Sequence, residues 1–463
     1  MNSVLLIVIP LLAAFIGLVA KKASPYLLLA VGIFNVTLLF FLEPGFTFIG
    51  GFDQVLSADL LGIALYVDTY AKIALWLING LIVVIALLNF KEYKHYGSIL
   101  LLSMAGLNGL LLTSDLFNFF VFLEVAGIAA YLITVSNKKF VDTFNYIVLG
   151  ILGGSLFLFG VAILYAMTGS LNMIVVANAL EESGQYKDVV LPFILIFAGL
   201  GVEVKLLPFN AWVKGVLSSS NTFSGPMIAS VYAAAMSFAM GRLLTNFLVF
   251  EGTLLSIVML LLILGVLAGD LMAFSTSKTR EILMFSSVAQ ASVIALLFVQ
   301  GIVIWAVYLI IANALGKLVM FIVVNHATKV VGSDSTDALR GLFTENRFVG
   351  LMFTMVTLSI MGLPLFAGFV IKLNFLTSLA SIGETMVFIV ILVASVVEGI
   401  YFAKMLVRLW YPGEKTLKVT FGSPLKVVTL LVALVFLVFG TYTPPLYDLD
   451  DGIDQVSEEV LHG

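Results

Sequence analysis

Three lysines stand in apolar surroundings: Lys205 in GLGVEVKLLPFNAW, Lys317 in NALGKLVMF and Lys372 in SIMGLPLFAGFVIK. Three carboxylates are comparably isolated, Glu124 in VFLEVAGIAAY, Glu203 two residues before Lys205, and Glu398 in SVVEGIYFAK. Such residues can do proton chemistry. Burial disfavours a charged lysine and a nearby carboxylate restores it, so moving a partner charge changes the proton occupancy of the amine. The same groups can instead hold helices together as ion pairs. Both readings stay open at the level of the residues.

The elements that carry these groups follow from composition. The chain has 463 residues, 61% hydrophobic and 11% charged, with a mean hydropathy of +1.15, whereas a soluble domain is roughly 45–50% apolar and about 25% charged. It is therefore an integral membrane protein of all-α class. A charge near the bilayer centre costs about 2.5–3.5 kcal/mol on the gentlest scale, so three lysines facing lipid would cost about 8–10 kcal/mol. They must face the bundle interior, a partner charge or internal water. The chain has no cysteine and three scattered histidines, His95, His326 and His462, which leaves no ligand framework for an iron–sulfur cluster, haem or zinc. No cofactor, metal or redox centre is expected in this chain, and no nucleic-acid partner.

A window of about 20 residues predicts fourteen spans, centred near residues 12, 34, 80, 105, 125, 155, 201, 236, 263, 290, 314, 362, 397 and 433. The first has no leading basic segment or cleavage site and is expected to be retained. With the N-terminus outside, 17 of the 23 Lys and Arg residues fall in alternate loops, from Lys21 and Lys22 to Lys426. The positive-inside rule makes that face cytoplasmic. The opposite loops hold Asp53, Asp59, Asp68, Glu181, Glu182, Glu384 and the tail from Asp448 to Glu459, with Lys187 their single base. Both termini are then expected outside a prokaryotic cytoplasmic membrane. Lys72 and Arg242, near the outer ends of their spans, are expected to snorkel to the interface.

Spacing and breakers refine the site. Residues two apart on a helix point about 200° away from each other, so Glu203 and Lys205 share no face unless the helix breaks there. Lys205 is expected to meet Glu124 from another helix. Pro208 follows Lys205, and Gly362, Pro364 and Gly368 precede Lys372, so the seventh and twelfth spans each combine a breaker with one lysine. Spans five apart lie in inverted halves, and paired interrupted helices in such halves point to a midplane ion site. The predicted organisation is a three-helix segment over 1–95, two inverted five-helix repeats over 96–248 and 249–412, each with a broken helix, and a last helix with an acidic tail over 413–463.

These segments carry a resemblance. GLGVEVKLLPFNAWV resembles the lysine-bearing broken helix of the antiporter-like subunits of complex I, of membrane-bound hydrogenases and related archaeal complexes, and of the D subunit of Mrp-type sodium/proton antiporters. REILMFSSVAQ is similar to that family's basic stretch and Ser-Ser helix, NALGKLVMF to its Lys helix, SIMGLPLFAGFVIK to its Gly-Pro-Phe helix with terminal lysine, and DLFNFFVFLEVAGIAAYL to the helix with its essential glutamate. The resemblance implies that Glu124 modulates Lys205, that Lys317 is a central relay and that Lys372 is the terminal exchange group; Glu203 and Glu398 are further candidates. It implies an ion-translocating subunit that moves H+, and in some members exchanges Na+, beside other membrane subunits of a redox-driven complex. The alternatives are a transport-inactive structural paralogue and a stand-alone secondary transporter.

The chain departs from the family pattern at Asn210, where His is common, at Lys214, Gly215 and Val216, and at Ala234, where many members carry a bridging lysine. With about twenty residues after the fourteenth expected span, the long amphipathic arm of one complex I member is not expected in this sequence. With alanine at 234, Glu124 and Lys205 are expected to form an island apart from a better connected Lys317, Lys372 and Glu398.

Overall fold

The computed structural model describes residues 2–50, 62–91, 94–183, 189–413 and 417–446. Asp53, Asp59, Lys187, Lys415 and the acidic tail lie outside the described residues. In chain order the helices are α1 Leu5–Val19, α2 Ser24–Leu38, α3 Thr69–Leu88, α4 Gly97–Leu112, α5 Leu116–Thr134, α6 Phe140–Thr168, α7 Met173–Ser183, α8 Val190–Val204 and α9 Ala211–Ser218. They continue as α10 Ser224–Pro226, a π-helical stretch Met227–Tyr232, α11 Ala233–Asn246, α12 Gly252–Ser275, α13 Thr279–Val299 and α14 Val303–Val331. The last are α15 Leu342–Glu345, α16 Arg347–Met361, α17 Ala367–Ser381, α18 Thr385–Trp410 and α19 Ser423–Thr441. One hairpin, β1 Gly45–Ile49 with β2 Ile63–Val67, pairs antiparallel with Gly45 opposite Val67.

Among the described residues nine helical segments are long and apolar enough to cross a membrane, and six shorter apolar helices join them. Together they occupy the fourteen expected spans, because α16 and α17 are halves of the twelfth, while α8 and the short α9 form the seventh. The protein is a multi-pass, all-α membrane protein.

The chain divides into two compact units, one of Met1–Val204 with Ala235–Leu254, the other of Lys205–Ala234 with Leu255–Asp454. In the first unit small residues bring helices together, as packing within a membrane requires. A Cβ at Gly153 of α6 would lie 2.9 Å from the carbonyl of Gly199 on α8, and one at Gly106 of α4 would lie 2.9 Å from the amide of Ala126 on α5. An asparagine ladder ties four helices. Asn35 donates to Asn79 at 3.0 Å, Asn79 to Asn108 at 2.8 Å, and Asn108 to the carbonyl of Leu6 at 2.8 Å.

The first unit also corrects an expectation. Arg242 does not snorkel: it is buried, and its guanidinium makes two bonds to Asp68, at 3.1 and 2.8 Å, with the rings of Tyr66 and Tyr70 5.8 and 5.2 Å away. Asp68 also caps α3 by accepting from the amide of Ala71 at 2.7 Å. A planar fork between a carboxylate and two aromatic faces is well satisfied without water, which is why this charge can be buried.

In the second unit α13 and α14 are almost wholly enclosed, with 89% and 83% of their apolar windows buried, against 33% for α18 and 22% for α19. Lys317, midway along α14, is buried and therefore faces protein rather than lipid.

Candidate functional site: a buried polar axis

Both helix breaks expected from Pro and Gly are present, but they are built differently. α8 ends at Val204, and Lys205 itself takes a left-handed backbone, φ 70°. A non-glycine residue in that region is uncommon and costs about 1–2 kcal/mol. The break therefore turns the chain directly after Glu203 and Val204. In the second break the positive φ falls at Gly362 and Leu365, both at 81°, and Lys372 lies well inside the following half-helix. The freed amide of Gly368 finds the hydroxyl of Ser359 at 3.1 Å, the kind of internal satisfaction that irregular backbone needs at this depth.

In the first unit α6 gathers two carboxylates on one face. Gly150 and Gly154 are one turn apart, and a Cβ at Gly154 would collide with the carboxylate of Glu124, while one at Gly150 would lie 3.1 Å from Glu203 Oε1. Glu203 is buried and accepts from the Tyr146 hydroxyl at 3.2 Å; Glu124 is half-buried. The glycines leave the room that the acids fill.

In the second unit the three lysines are buried and each has a partner. Lys205 donates to Ser287 Oγ at 2.9 Å. Lys317, midway along α14, donates to Ser286 Oγ at 2.8 Å and to the carbonyl of Leu283 at 3.1 Å, 5.5 Å from the ring of Phe402. Lys372 forms an ion pair with Glu398 and reaches the carbonyl of Met361 at 3.2 Å. Glu398 also accepts from Gln290 at 2.8 Å, and Gln290 accepts from Asn313 at 3.4 Å. Ser286 and Gln290 are one turn apart on α13, as are Asn313 and Lys317 on α14, so the Lys317–Ser286 bond and the Asn313–Gln290 bond bridge the same two helices one turn apart.

Lys205 and Lys317 are bound to two consecutive serines of α13, Ser287 and Ser286. Sequence reasoning passed over Ser286 and Ser287 as part of a motif, and it missed Asp270 and Tyr401. Asp270 of α12 is buried and accepts from the Tyr401 hydroxyl at 3.0 Å. The available signal was an acid five residues inside the end of a span, AGDLMAFS, where an interfacial position would be cheaper. Among the described residues no group of three or more His, Asp or Glu could hold a metal.

A multi-pass bundle with two interrupted helices and an internal column of lysines, carboxylates and hydroxyls defines an ion-transport component of antiporter-like type. Residues 113–398 match the family described as NADH:quinone oxidoreductase/Mrp antiporter, TM, and the chain belongs to that family. It is 28% identical to the N subunit of NADH-quinone oxidoreductase from Desulforudis audaxviator, over 70% of this chain and 66% of that protein. It is 25% identical to the D subunit of the Na(+)/H(+) antiporter from Bacillus subtilis, over 76% of this chain and 74% of that one. Among solved structures, a chain of the membrane-bound sulfane sulfur reductase, an archaeal respiratory membrane complex, superposes with a TM-score of 0.90 at 28% identity, covering 99% of each chain.

Proposed function

We propose that this chain is the ion-translocating module of a multisubunit, redox-driven membrane complex, and that it moves H+, alone or in exchange for Na+, along Glu124, Lys205, Lys317 and Lys372. Its partners would be other membrane subunits and the surrounding lipid of a prokaryotic cytoplasmic membrane, with both chain termini outside. The four-segment division at 95, 248 and 412 belongs to the same reading.

One observation carries the proposal: the Lys372–Glu398 ion pair is bonded through Gln290 to Asn313, which lies one turn from buried Lys317 on α14. An ion pair that only fastened helices would need no amide relay reaching to within one turn of a second lysine. A column that passes charge needs one, because a proton leaving Lys372 must be answered by rearrangement at Lys317. The scale is suitable, since one charge crossing 100 mV corresponds to about 2.3 kcal/mol.

The test uses the intact complex, purified through a tag on this chain and reconstituted into liposomes with a trapped pH dye. Lys317→Ala and Lys372→Ala should abolish potential-driven proton uptake in complexes that still assemble. Full uptake in both variants would refute the proposal. Adding a sodium-sensitive dye reports whether Na+ moves in exchange.

A further inference from the structure

Gln290 sits between two groups that ask for different ends of its amide. Its Nε2 donates to Glu398 Oε1 at 2.8 Å, and its Oε1 accepts from Asn313 Nδ2 at 3.4 Å. Glu398 presents its other oxygen, Oε2, to Lys372. Asn313 Nδ2 also donates to the carbonyl of Leu309 at 2.9 Å, whereas the buried Asn313 Oδ1 has no hydrogen-bond partner among the described residues. A buried amide oxygen left in that state is rare and costly. A glutamine that could satisfy it by turning its amide over is already bonded to the same asparagine.

We propose that Gln290 is a two-position amide switch: it gives its N–H to Glu398 while the Lys372–Glu398 pair is charged, and gives it to Asn313 Oδ1 when Glu398 takes the proton. Gln290 and Asn313 are then positioning residues that report the state of the pair to Lys317. The proposal rests on the ion-translocating reading given above.

Hydrogen-bond accounting supports both positions. A carboxylate only accepts, so it requires the N–H end of Gln290; a carboxylic acid has a proton to give, which the carbonyl end can receive. In the first position the Asn313–Gln290 bond is 3.4 Å long, outside the usual range of about 2.7–3.2 Å, so little opposes the turn on that side. In the second, Asn313 Oδ1 gains a donor and Asn313 Nδ2 keeps Leu309. A glutamine placed only to pin Glu398 would need no second amide with an open acceptor beside it.

The proton step balances. An N–H bond of Lys372 breaks as an O–H bond forms on Glu398 Oε2, and ammonium and carboxylate become amine and carboxylic acid. Rotation of the carboxyl group carries the O–H to Gln290 and leaves its carbonyl facing the amine. The turned Gln290 engages Asn313, one turn from Lys317 on α14. Lys317 has three N–H protons, two of them given to Ser286 Oγ and the Leu283 carbonyl. Asn313 Oδ1 is an acceptor for the third, directly or through one water, and a poorer one once Gln290 has bonded it. Loss of charge at Lys372 therefore loosens the proton on Lys317. The other charges facing Glu398 are Lys317 itself and Asp270, which accepts from Tyr401; all these groups lie in the second unit.

The experiment measures potential-driven proton uptake and apparent Tm of the reconstituted complex for Asn313→Leu, Asn313→Asp and Lys317→Ala. Leucine keeps the branching of asparagine and leaves the Gln290–Glu398 bond and the ion pair in place. It removes the open oxygen of Asn313 and opens Gln290 Oε1 instead, one unpartnered oxygen for another, so Asn313→Leu should keep its apparent Tm within a few degrees. Uptake should nevertheless fall at least about 5-fold, the low end of a typical coupling between sites. Full uptake in Asn313→Leu while Lys317→Ala is inactive would overturn the switch and leave the functional reading intact. A fall in uptake that only follows a fall in apparent Tm and assembly would also overturn the switch, because the amide would then be a packing group. Full uptake in Lys317→Ala would overturn the functional reading. Should Asn313→Leu fail to assemble, Asn313→Asp decides: it keeps the shape, accepts at both ends and holds Gln290 in the turned position, so full uptake there would overturn the switch.

Discussion

Gly362 lies against the side chain of Lys372: a Cβ at 362 would be 2.7 Å from Lys372 Cδ. The break between α16 and α17 thus does two things with one glycine. Its φ of 81° turns the chain, and its missing side chain admits the lysine ten residues later in α17. Gly362→Ala should cost about 1–2 kcal/mol through the left-handed backbone alone, and it also pushes Lys372 from Glu398. The expected result is a lower apparent Tm of the complex together with loss of proton uptake. Unchanged uptake would mean that the position of Lys372 is not set by this contact.

Lys205 offers the opposite trade. Its left-handed backbone is tolerated only because the surrounding structure enforces it, and strain of this kind collects at functional sites. Lys205→Gly keeps the backbone at no steric cost and removes the ammonium. It should assemble, melt no lower than the unaltered protein, and fail to translocate. Lys205→Ala removes the same charge but keeps the strain, so it should melt below Lys205→Gly. If the glycine variant melts below the unaltered protein, the lost bond to Ser287 outweighs the relieved backbone; if it melts below the alanine variant, the left-handed backbone carries no strain.

Arg242 and Asp68 form a buried pair within the first unit. Removing one partner strands the other, at about 3–5 kcal/mol. Arg242→Ala and Asp68→Ala should each reduce assembly yield and apparent Tm, and the double variant should cost less than the two added together. Arg242→Lys keeps the charge but not the fork, and should fall between. A double variant whose loss equals the sum would show that the pair is not coupled.

The helices were legible because each is written in consecutive residues: an apolar run sets a span, and Pro208, Gly362 and Gly368 mark where spans break. The isolated lysines and acids were legible for the same reason, since one charge in an apolar run stands out. Partners were not. Lys205 meets Ser287, Arg242 meets Asp68, and Tyr401 meets Asp270, each across 82 or more positions of chain. Nothing in local periodicity encodes such pairings. Arg242 shows the cost most plainly, for position within a span suggested snorkelling while a distant acid at the start of α3 decided burial. Ser286 and Ser287 were hidden differently, as small hydroxyls in a helix look ordinary until two lysines point at them.

The two neighbouring glycines of α6 separate packing from chemistry. Gly153 meets backbone, the carbonyl of Gly199 at 2.9 Å, and Gly199 returns the contact to Phe157 N at 2.7 Å. Backbone cannot step aside, so Gly153→Ala and Gly199→Ala should force α6 and α8 apart and reduce assembly. Gly154 meets instead the carboxyl end of Glu124, with Glu124 Cδ 3.1 Å from the added carbon. A side-chain tip can swing away at small cost, because even a torsion pushed about 30° off its rotamer costs only about 0.5–1.5 kcal/mol. Gly154→Ala should therefore assemble normally and keep its apparent Tm within a few degrees, while the displaced Glu124 lowers proton uptake as far as Glu124→Gln does. If Gly154→Ala translocates normally while Glu124→Gln does not, the carboxylate works from more than one position. If both translocate normally, Glu124 has no part in the path, and the glycine face of α6 serves packing alone.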